Sequence, residues 1–318
     1  MADDLHSPTA LGASGLKVSK LWLGAMMFGD QTDEAEAARI VAATRDAGLN
    51  AIDTADAYAK GDSERIVGRL IANDRERWVV ATKLFNPTSK DANDRGLSRR
   101  HMLRAVDASL ARLGTDRVEI LYLHHEDETT PLEETVAAMA HLLASGKVLY
   151  FGVSNFRAWR VARLVEMCRA AGIPPPIVSQ PPYNAMTRAI ETELLPCCAH
   201  YGVGVVAYSP MQAGLLTGTF TRERAAALGP DDWRSRHPFF QEPQLSKNLR
   251  LVDGLRPIAA RLGISVAQLV LAWTLRDQAV SSASAGARSP KQIQETVAAG
   301  NVDLPADAIA EIEQLLQA

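Results

Sequence analysis

The stretch NAIDTADAYAKGDSERIVG, Asn50–Gly68, opens as a short apolar strand and closes that strand on a carboxylate, Asp53. Tyr58 follows beyond a turn. A carboxylate and a phenol at the mouth of a buried strand are costly there unless they have something to act on. Seven further short apolar runs read as strands: WLGAMMF before it, then WVVATKL, VEILYLHH, VLYFGVSN, PIVSQPPYN, GVVAYSP and AVSSASAG, the last six of which, like the stretch itself, are polar towards their ends. Helix-like segments separate them. TDEAEAARIVAATRDAG and SRRHMLRAVDASLARLG open on Thr or Ser and stop at Gly, as capped helices do. TPLEETVAAMAHLLASG follows the same plan, with Pro131 suited to a first helical turn.

Strands alternating with helices predict a parallel sheet, and eight such strands are the number that closes an α/β barrel of the (β/α)8, or TIM, type. A doubly wound open sheet is the alternative that the same alternation allows. The segment TALGASGLKVSKLWLG reads as an N-terminal hairpin with Gly-rich turns. No linker, repeat or low-complexity tract divides the chain, so a single domain over residues 1–318 is expected. One long irregular stretch, from about Met211 to Ser246, follows the seventh strand; loops of that length in compact domains are usually functional.

The bulk composition narrows the partners. Of the 318 residues, 47% are hydrophobic and 22% charged, an ordinary globular balance, and the net charge of −3 gives no electrostatic reason to expect nucleic acid or an anionic membrane. MADDLHSPTALG lacks the basic start and apolar core of a secretory signal. The strongest apolar run, VAQLVLAWTL, is about half of a membrane span. Three cysteines, two of them neighbours (Cys197 and Cys198) on a helix-like segment, read as reduced thiols of a cytoplasmic protein. No histidine stands at ligand spacing beside them or Cys168, so no metal is expected.

In such barrels chemistry gathers at the C-terminal strand ends. Those ends carry Asp53, Lys83, His124, Ser154 with Asn155, Gln180, Tyr208 with Ser209, and Ser284 to Arg288. A lysine balanced by a carboxylate can lie against a tyrosine hydroxyl and draw the phenol pKa down from about 10 towards neutrality. Such a tyrosine is a competent general acid for an alkoxide forming on a carbonyl, and a histidine can donate a second hydrogen bond to the same oxygen. No residue here is a good nucleophile, so the reductant is left to a cofactor.

The order Asp53, Tyr58, Lys83, His124 on successive strands resembles the aldo-keto reductase superfamily. So do AIDTADAYAKGDSERIVG, VVATKL, LYLHHED, FGVSNF, SQPPYN, AYSPMQAGLLTG and GARSPKQIQETV, which together span nearly the whole chain. Within the family the resemblance is to bacterial members of the stress-response and inositol-operon type. It implies a (β/α)8 barrel closed at its base by the hairpin, with Tyr58 as proton donor, Asp53 and Lys83 tuning it, and His124 orienting the carbonyl. It also implies a nicotinamide cofactor across the barrel mouth. Ser154, Asn155 and Gln180 would hold the carboxamide and Tyr208 would stack on the ring. Ser209, Met211, Gln212 and Leu215 would clasp the pyrophosphate, and Ser284, Gly286, Arg288, Gln292 and Glu295 the adenosine end. Arg288 is expected to favour NADPH, through a guanidinium that holds the extra phosphate. Ala59 stands where the family usually has glycine, and Thr296 where many relatives have asparagine.

Pocket walls are expected from Trp22, Met27, Phe28, Phe85, His125, Trp233 and Arg234, suited to a moderately sized carbonyl or sugar. The long stretch, with Trp233, Arg234, His237, Phe239 and Phe240, is expected to act as a lid. Three other readings are weaker. Gly202, Gly204 and Ala207 have the spacing of a dinucleotide-binding turn, but follow a helix and open a strand, the reverse of what that turn needs. His124, His125, Glu126 and Asp127 suggest a metal-dependent hydrolase, whose ligands would have to come from several strand ends. A cofactor-holding regulatory or redox-sensing subunit is the alternative of a different class.

Overall fold

The structure, a computed structural model, describes residues 8–230 and 232–317; the side chain of Trp233, expected in the pocket, lies outside the described residues. Strands β1 (Thr9–Ala10) and β2 (Lys17–Val18) form the antiparallel hairpin. The eight runs read from the sequence become β3 (Leu21–Gly24), β4 (Ala51–Asp53), β5 (Val79–Leu84), β6 (Val118–Leu123), β7 (Val148–Ser154), β8 (Val178–Gln180), β9 (Gly204–Tyr208) and β10 (Val280–Gly286). All pair in parallel with their sequence neighbours, and β10 pairs with both β9 and β3, so the sheet is a closed barrel and not an open one.

Alternation along the strands divides the apolar residues between two cores. Outward-facing residues such as Leu21, Leu23, Ile52, Val80, Leu121 and Val153 pack under the helices. Inward-facing Trp22, Ala51, Val79, Ala81, Ile120, Tyr122, Val178 and Val206 fill the lower barrel, and Leu11 and Val18 of the hairpin join them from below. The hairpin seats by backbone contact: a Cβ on Gly12 would lie 2.5 Å from the Gly204 nitrogen, and one on Gly204 2.6 Å from that of Gly12. Glycine at both positions therefore lets the plug close the base.

Helix Arg99–Leu113 is capped by Ser98 and ends on Gly114 at φ +63°, as its sequence predicts. Helix Glu34–Asp46 begins one residue later than expected, because Asp33 rather than Thr32 accepts from the Glu36 N–H. Pro131 likewise sits at the cap of helix Leu132–Ala144 and not inside its first turn. Gly202 ends helix Leu194–Tyr201 and Gly204 opens β9, so the dinucleotide-like spacing straddles a helix-to-strand junction. No single helix among the described residues is long and apolar enough to cross a membrane.

The stretch after β9 has more structure than a loop. It holds a 3-10 segment at Gln212–Thr217, a short helix at Arg222–Ala226 and two 3-10 turns, and helix Gln244–Arg261 begins before it ends. Leu215, Phe220, Phe240 and Leu245 give it a small core of its own.

Candidate active site

Asp53 ends β4, Lys83 lies one residue from the end of β5, and His124 directly follows β6, so barrel closure places all three on one rim. Lys83 Nζ donates to Asp53 Oδ2 at 2.6 Å, to the Thr54 carbonyl at 2.9 Å and to the Tyr58 hydroxyl at 3.2 Å. Gln180 donates to the other Asp53 oxygen at 3.2 Å. Tyr58 reaches the lysine because the chain turns sharply after β4: Thr54 and Ser63 hydroxyls meet at 2.8 Å, and Ser63 donates to the Ala25 carbonyl. Ala59 and Lys60 take left-handed φ of +46° and +56° in that turn. Glycine would suit the first without strain, so the Ala59 departure carries a local conformational cost. The His124 ring lies edge-on to Tyr58, with centroids 6.1 Å apart.

Burial governs the electrostatics. It pushes the Lys83 ammonium down, but the charges of and hydrogen bonds to Asp53 and Tyr58 together outweigh this and hold the lysine above its ordinary value. The Tyr58 phenol moves opposite to expectation: burial raises it and Lys83 only partly offsets that. The phenol therefore keeps its proton at neutral pH, the form a proton donor needs. Burial, then Lys83 and His125, push His124 down to about 3, so its imidazole is neutral. Asp56, which sequence reading passed over, is buried with neither carboxyl oxygen meeting a donor at ordinary geometry. Burial and the nearby Glu64 raise it to about 7. In the sequence it cannot be told from an exposed loop acid.

The rim residues beyond the four are joined in a chain of hydrogen bonds. Asn155, at φ +59°, donates to the His124 carbonyl and to Ser154 Oγ, both at 3.0 Å, and accepts from the Tyr208 hydroxyl at 2.9 Å. Ser154 donates to the Gln180 carbonyl. Tyr208 is half-buried, its ring fixed in orientation by its own hydroxyl. Asn184, a residue the sequence reading did not single out, donates to the Ser209 carbonyl at 2.9 Å and to Gln212 Oε1 at 2.7 Å. It thereby fixes the turn in which Ser209, Gln212 and Ala213 all have positive φ, with Met211 half-buried beside them. The Leu215 side chain belongs to the small core of the Met211–Ser246 stretch, so only its main chain is open to a ligand.

At the far end Ser284 and Gly286 close β10, and helix Pro290–Ala299 starts without a side-chain cap. Gln292 accepts from the Arg288 N–H at 2.7 Å, while the exposed Arg288 guanidinium engages no hydrogen-bond acceptor among the described residues. Glu295 is exposed on the same helix, its carbonyl bonded to Gln268. These residues fit a dinucleotide cofactor: a fixed aromatic face, a polar girdle, and an exposed guanidinium with no hydrogen-bonded acceptor among the described residues at the end where a phosphate would lie.

Two pocket expectations need correction. Trp22 is 1% exposed and points into the lower barrel, beneath the mouth, because its inward parity places it two residues below Gly24 at the rim. Phe28 is fully buried, a member of the core outside the barrel. The residue that is open at this rim is Met26, 53% exposed, beside half-buried Met27. Phe85 and His125 do meet, with ring centroids 5.3 Å apart, and His125 stacks on His124 at 4.9 Å. Arg234 is half-buried and pairs with Asp232, which Arg234 and then Arg288 hold down at about 2. The acidic cluster after His125 is committed elsewhere: Glu126 binds Arg157, and Asp127 accepts from Leu97, Thr129 and Thr130. Among the described residues no group of three or more His, Cys, Asp or Glu side chains could hold a metal ion.

Comparison with known proteins adds a family and three relatives. The model of the Aldo/keto reductase family matches residues 20–317. The chain is 38% identical over 314 residues to a "Probable voltage-gated potassium channel subunit beta" of Oryza sativa subsp. japonica, covering 96% of this chain and 95% of the relative. A protein of the same description from Arabidopsis thaliana is also 38% identical with the same coverage. A "Putative voltage-gated potassium channel subunit beta" of Schizosaccharomyces pombe is 35% identical, covering 91% of this chain and 86% of the relative.

Proposed function

Because the chain belongs to the aldo/keto reductase family, we propose that it is an NADPH-dependent oxidoreductase. In this reading it reversibly reduces an aldehyde, ketone or sugar-type carbonyl to an alcohol, acting as one barrel unit in the cytoplasm. The family supports NAD(P)H-dependent carbonyl reduction in general terms. The observation that carries it is the Lys83 ammonium held between Asp53 at 2.6 Å and the Tyr58 hydroxyl at 3.2 Å in a buried mouth.

A bound nicotinamide supplies hydride chemistry; the chain's residues do the rest. Tyr58 holds its proton ready for the carbonyl oxygen, and Lys83 stabilises the phenolate left when that proton moves. Neutral His124 offers the same oxygen a hydrogen bond. Asn155, Ser154 and Gln180 would orient the cofactor's amide end, and Tyr208 would lie against its ring. Arg288 would meet a ribose phosphate with charge-assisted bonds, a contact worth about 1.5–3 kcal/mol, or roughly ten- to a hundredfold in affinity.

The test is cofactor absorbance with aldehydes, ketones, quinones and sugars, run in both directions and with both cofactors. Arg288→Ala should weaken NADPH by that factor and leave NADH nearly unchanged; equal loss of both, or a parent that binds NADH more tightly, overturns the phosphate assignment. The relatives' names favour a second reading, a regulatory subunit that holds cofactor for another protein. That subunit would bind NADPH tightly and turn over slowly with every carbonyl tried.

A further inference from the structure

We infer that Asn86 is a positioning residue: its side-chain amide donates to Nδ1 of His124 and fixes the imidazole with its one proton on Nε2, the nitrogen free to face a carbonyl oxygen. The inference rests on the reading of His124 as the carbonyl's second donor. Asn86 Nδ2 lies 3.2 Å from His124 Nδ1, and among the described residues it is the ring's one hydrogen-bond partner.

The backbone around Asn86 is built for that contact. Phe85, directly before it, adopts φ +151°, a strained value for a bulky L residue, and its carbonyl is held by the Gly96 N–H at 2.8 Å. The bend carries the chain off β5 as the His124 N–H bonds back to the Leu84 carbonyl at 3.0 Å. The ends of β5 and β6 are thus tied, and the two side chains meet across that tie. From the other sides His124 faces Lys83 of β5, the edge of Tyr58 and the stacked ring of His125.

A neutral imidazole has one N–H and one lone pair. His124 is neutral, because burial, Lys83 and His125 all disfavour its charged form. With the amide NH₂ turned to the ring, as it lies here, Nδ1 supplies the lone pair and Nε2 carries the proton; an amide flipped to present Oδ1 would instead require Nδ1–H, and the two arrangements give different spectra. The opposite tautomer would turn a lone pair towards the substrate oxygen and remove a donor, which typically costs 10²–10³-fold in turnover, roughly, at sites of this kind.

The experiment uses the full chain with ¹⁵N-labelled histidine, the His124 signals being identified by their loss in His124→Gln. In the parent, two-bond ¹H–¹⁵N spectra should place the proton on Nε2 from mildly acidic to mildly alkaline pH. Asn86→Asp keeps the side chain's size but offers only acceptors, so the proton should move to Nδ1. The new carboxylate should also favour the imidazolium as pH falls. Turnover of an aldehyde by Asn86→Asp should drop about 100-fold at alkaline pH and partly recover on acidification, as protonation restores Nε2–H. Its ratio to the parent at each pH cancels titrations common to both, that of Asp56 included. Cofactor affinity should not change.

A parent proton on Nδ1, or an Asn86→Asp variant that keeps the parent's tautomer, overturns the inference. Loss of turnover without an acid recovery also overturns it, since a merely structural defect behaves that way. If the tautomers respond as stated while the parent reduces no carbonyl, the positioning role stands and the proposed function falls.

Discussion

Tyr58 keeps its proton although the Lys83 ammonium touches its hydroxyl, because burial outweighs the lysine. Lys83 does not depend on that contact, for Asp53 and the Thr54 carbonyl still hold it. Tyr58→Phe should therefore fold normally and bind cofactor as the parent does, while turnover falls by at least about 100-fold, the usual size of a general-acid effect. Near-normal turnover in a purified, cofactor-binding variant would remove Tyr58 from the role. Asp53, Lys83 and His124 were legible in the sequence because each stands at or beside a strand end, which barrel closure brings to one rim; Tyr58 was legible only from its place in the turn after the first of them. The direction of the Tyr58 shift was not legible, since it depends on how much protein covers the ring. Asp56, Asn86 and Asn184 were missed for a related reason: each acts through partners far away in sequence, and no local pattern marks them.

Among the elements, the eight barrel strands could be read from apolar runs bounded by turn residues, and all eight are present. Their loops were harder. Trp22 looked like a wall because it is large and near the first strand's end, but the large apolar side chain exposed beyond that end is Met26. Helix crossings were silent as well. Gly68 of helix Asp62–Ile71 lies so close to helix Arg99–Leu113 that a Cβ would stand 2.2 Å from the Leu113 carbonyl oxygen, and backbone cannot swing aside. Gly68→Ala should lower stability by about 1–3 kcal/mol, as overpacking does, visible as an earlier urea midpoint with an unchanged slope. An unaltered midpoint would mean that the helices separate freely. The segment from Met211 to Ser246 has its own core around Phe240, so a lid here would move as a unit. On that reading NADPH should slow hydrogen exchange across the whole segment, and equal exchange with and without cofactor rules the lid out.

At the scale of the whole molecule, Asp56 sets a condition on when the barrel is most stable. In an unfolded chain an aspartate ionises near pH 3.9 or so, whereas in the fold burial and Glu64 raise Asp56 to about 7. Between those values the unfolded chain releases the proton and the folded chain retains it. The contribution of Asp56 to stability must then fall as pH rises from about 4 to about 7, and level off above. At 1.36 kcal/mol per pKa unit the whole span is on the order of 4 kcal/mol, a large part of a typical domain's margin. The charges facing Asp56 are Glu64, which disfavours ionisation, and Arg112 and Lys83, which favour it; the carboxyl is 3% exposed, so water gives little relief. Asparagine matches the protonated acid in shape and never ionises. Asp56→Asn should equal the parent in acid and exceed it above neutral pH by up to about 4 kcal/mol. Urea midpoints of both proteins across that range measure it, and their difference cancels shared titrations such as those of the Asp74–Arg45 and Asp232–Arg234 pairs. Parallel curves for the two proteins would mean that Asp56 is ionised throughout, relieved by Arg112 and Lys83.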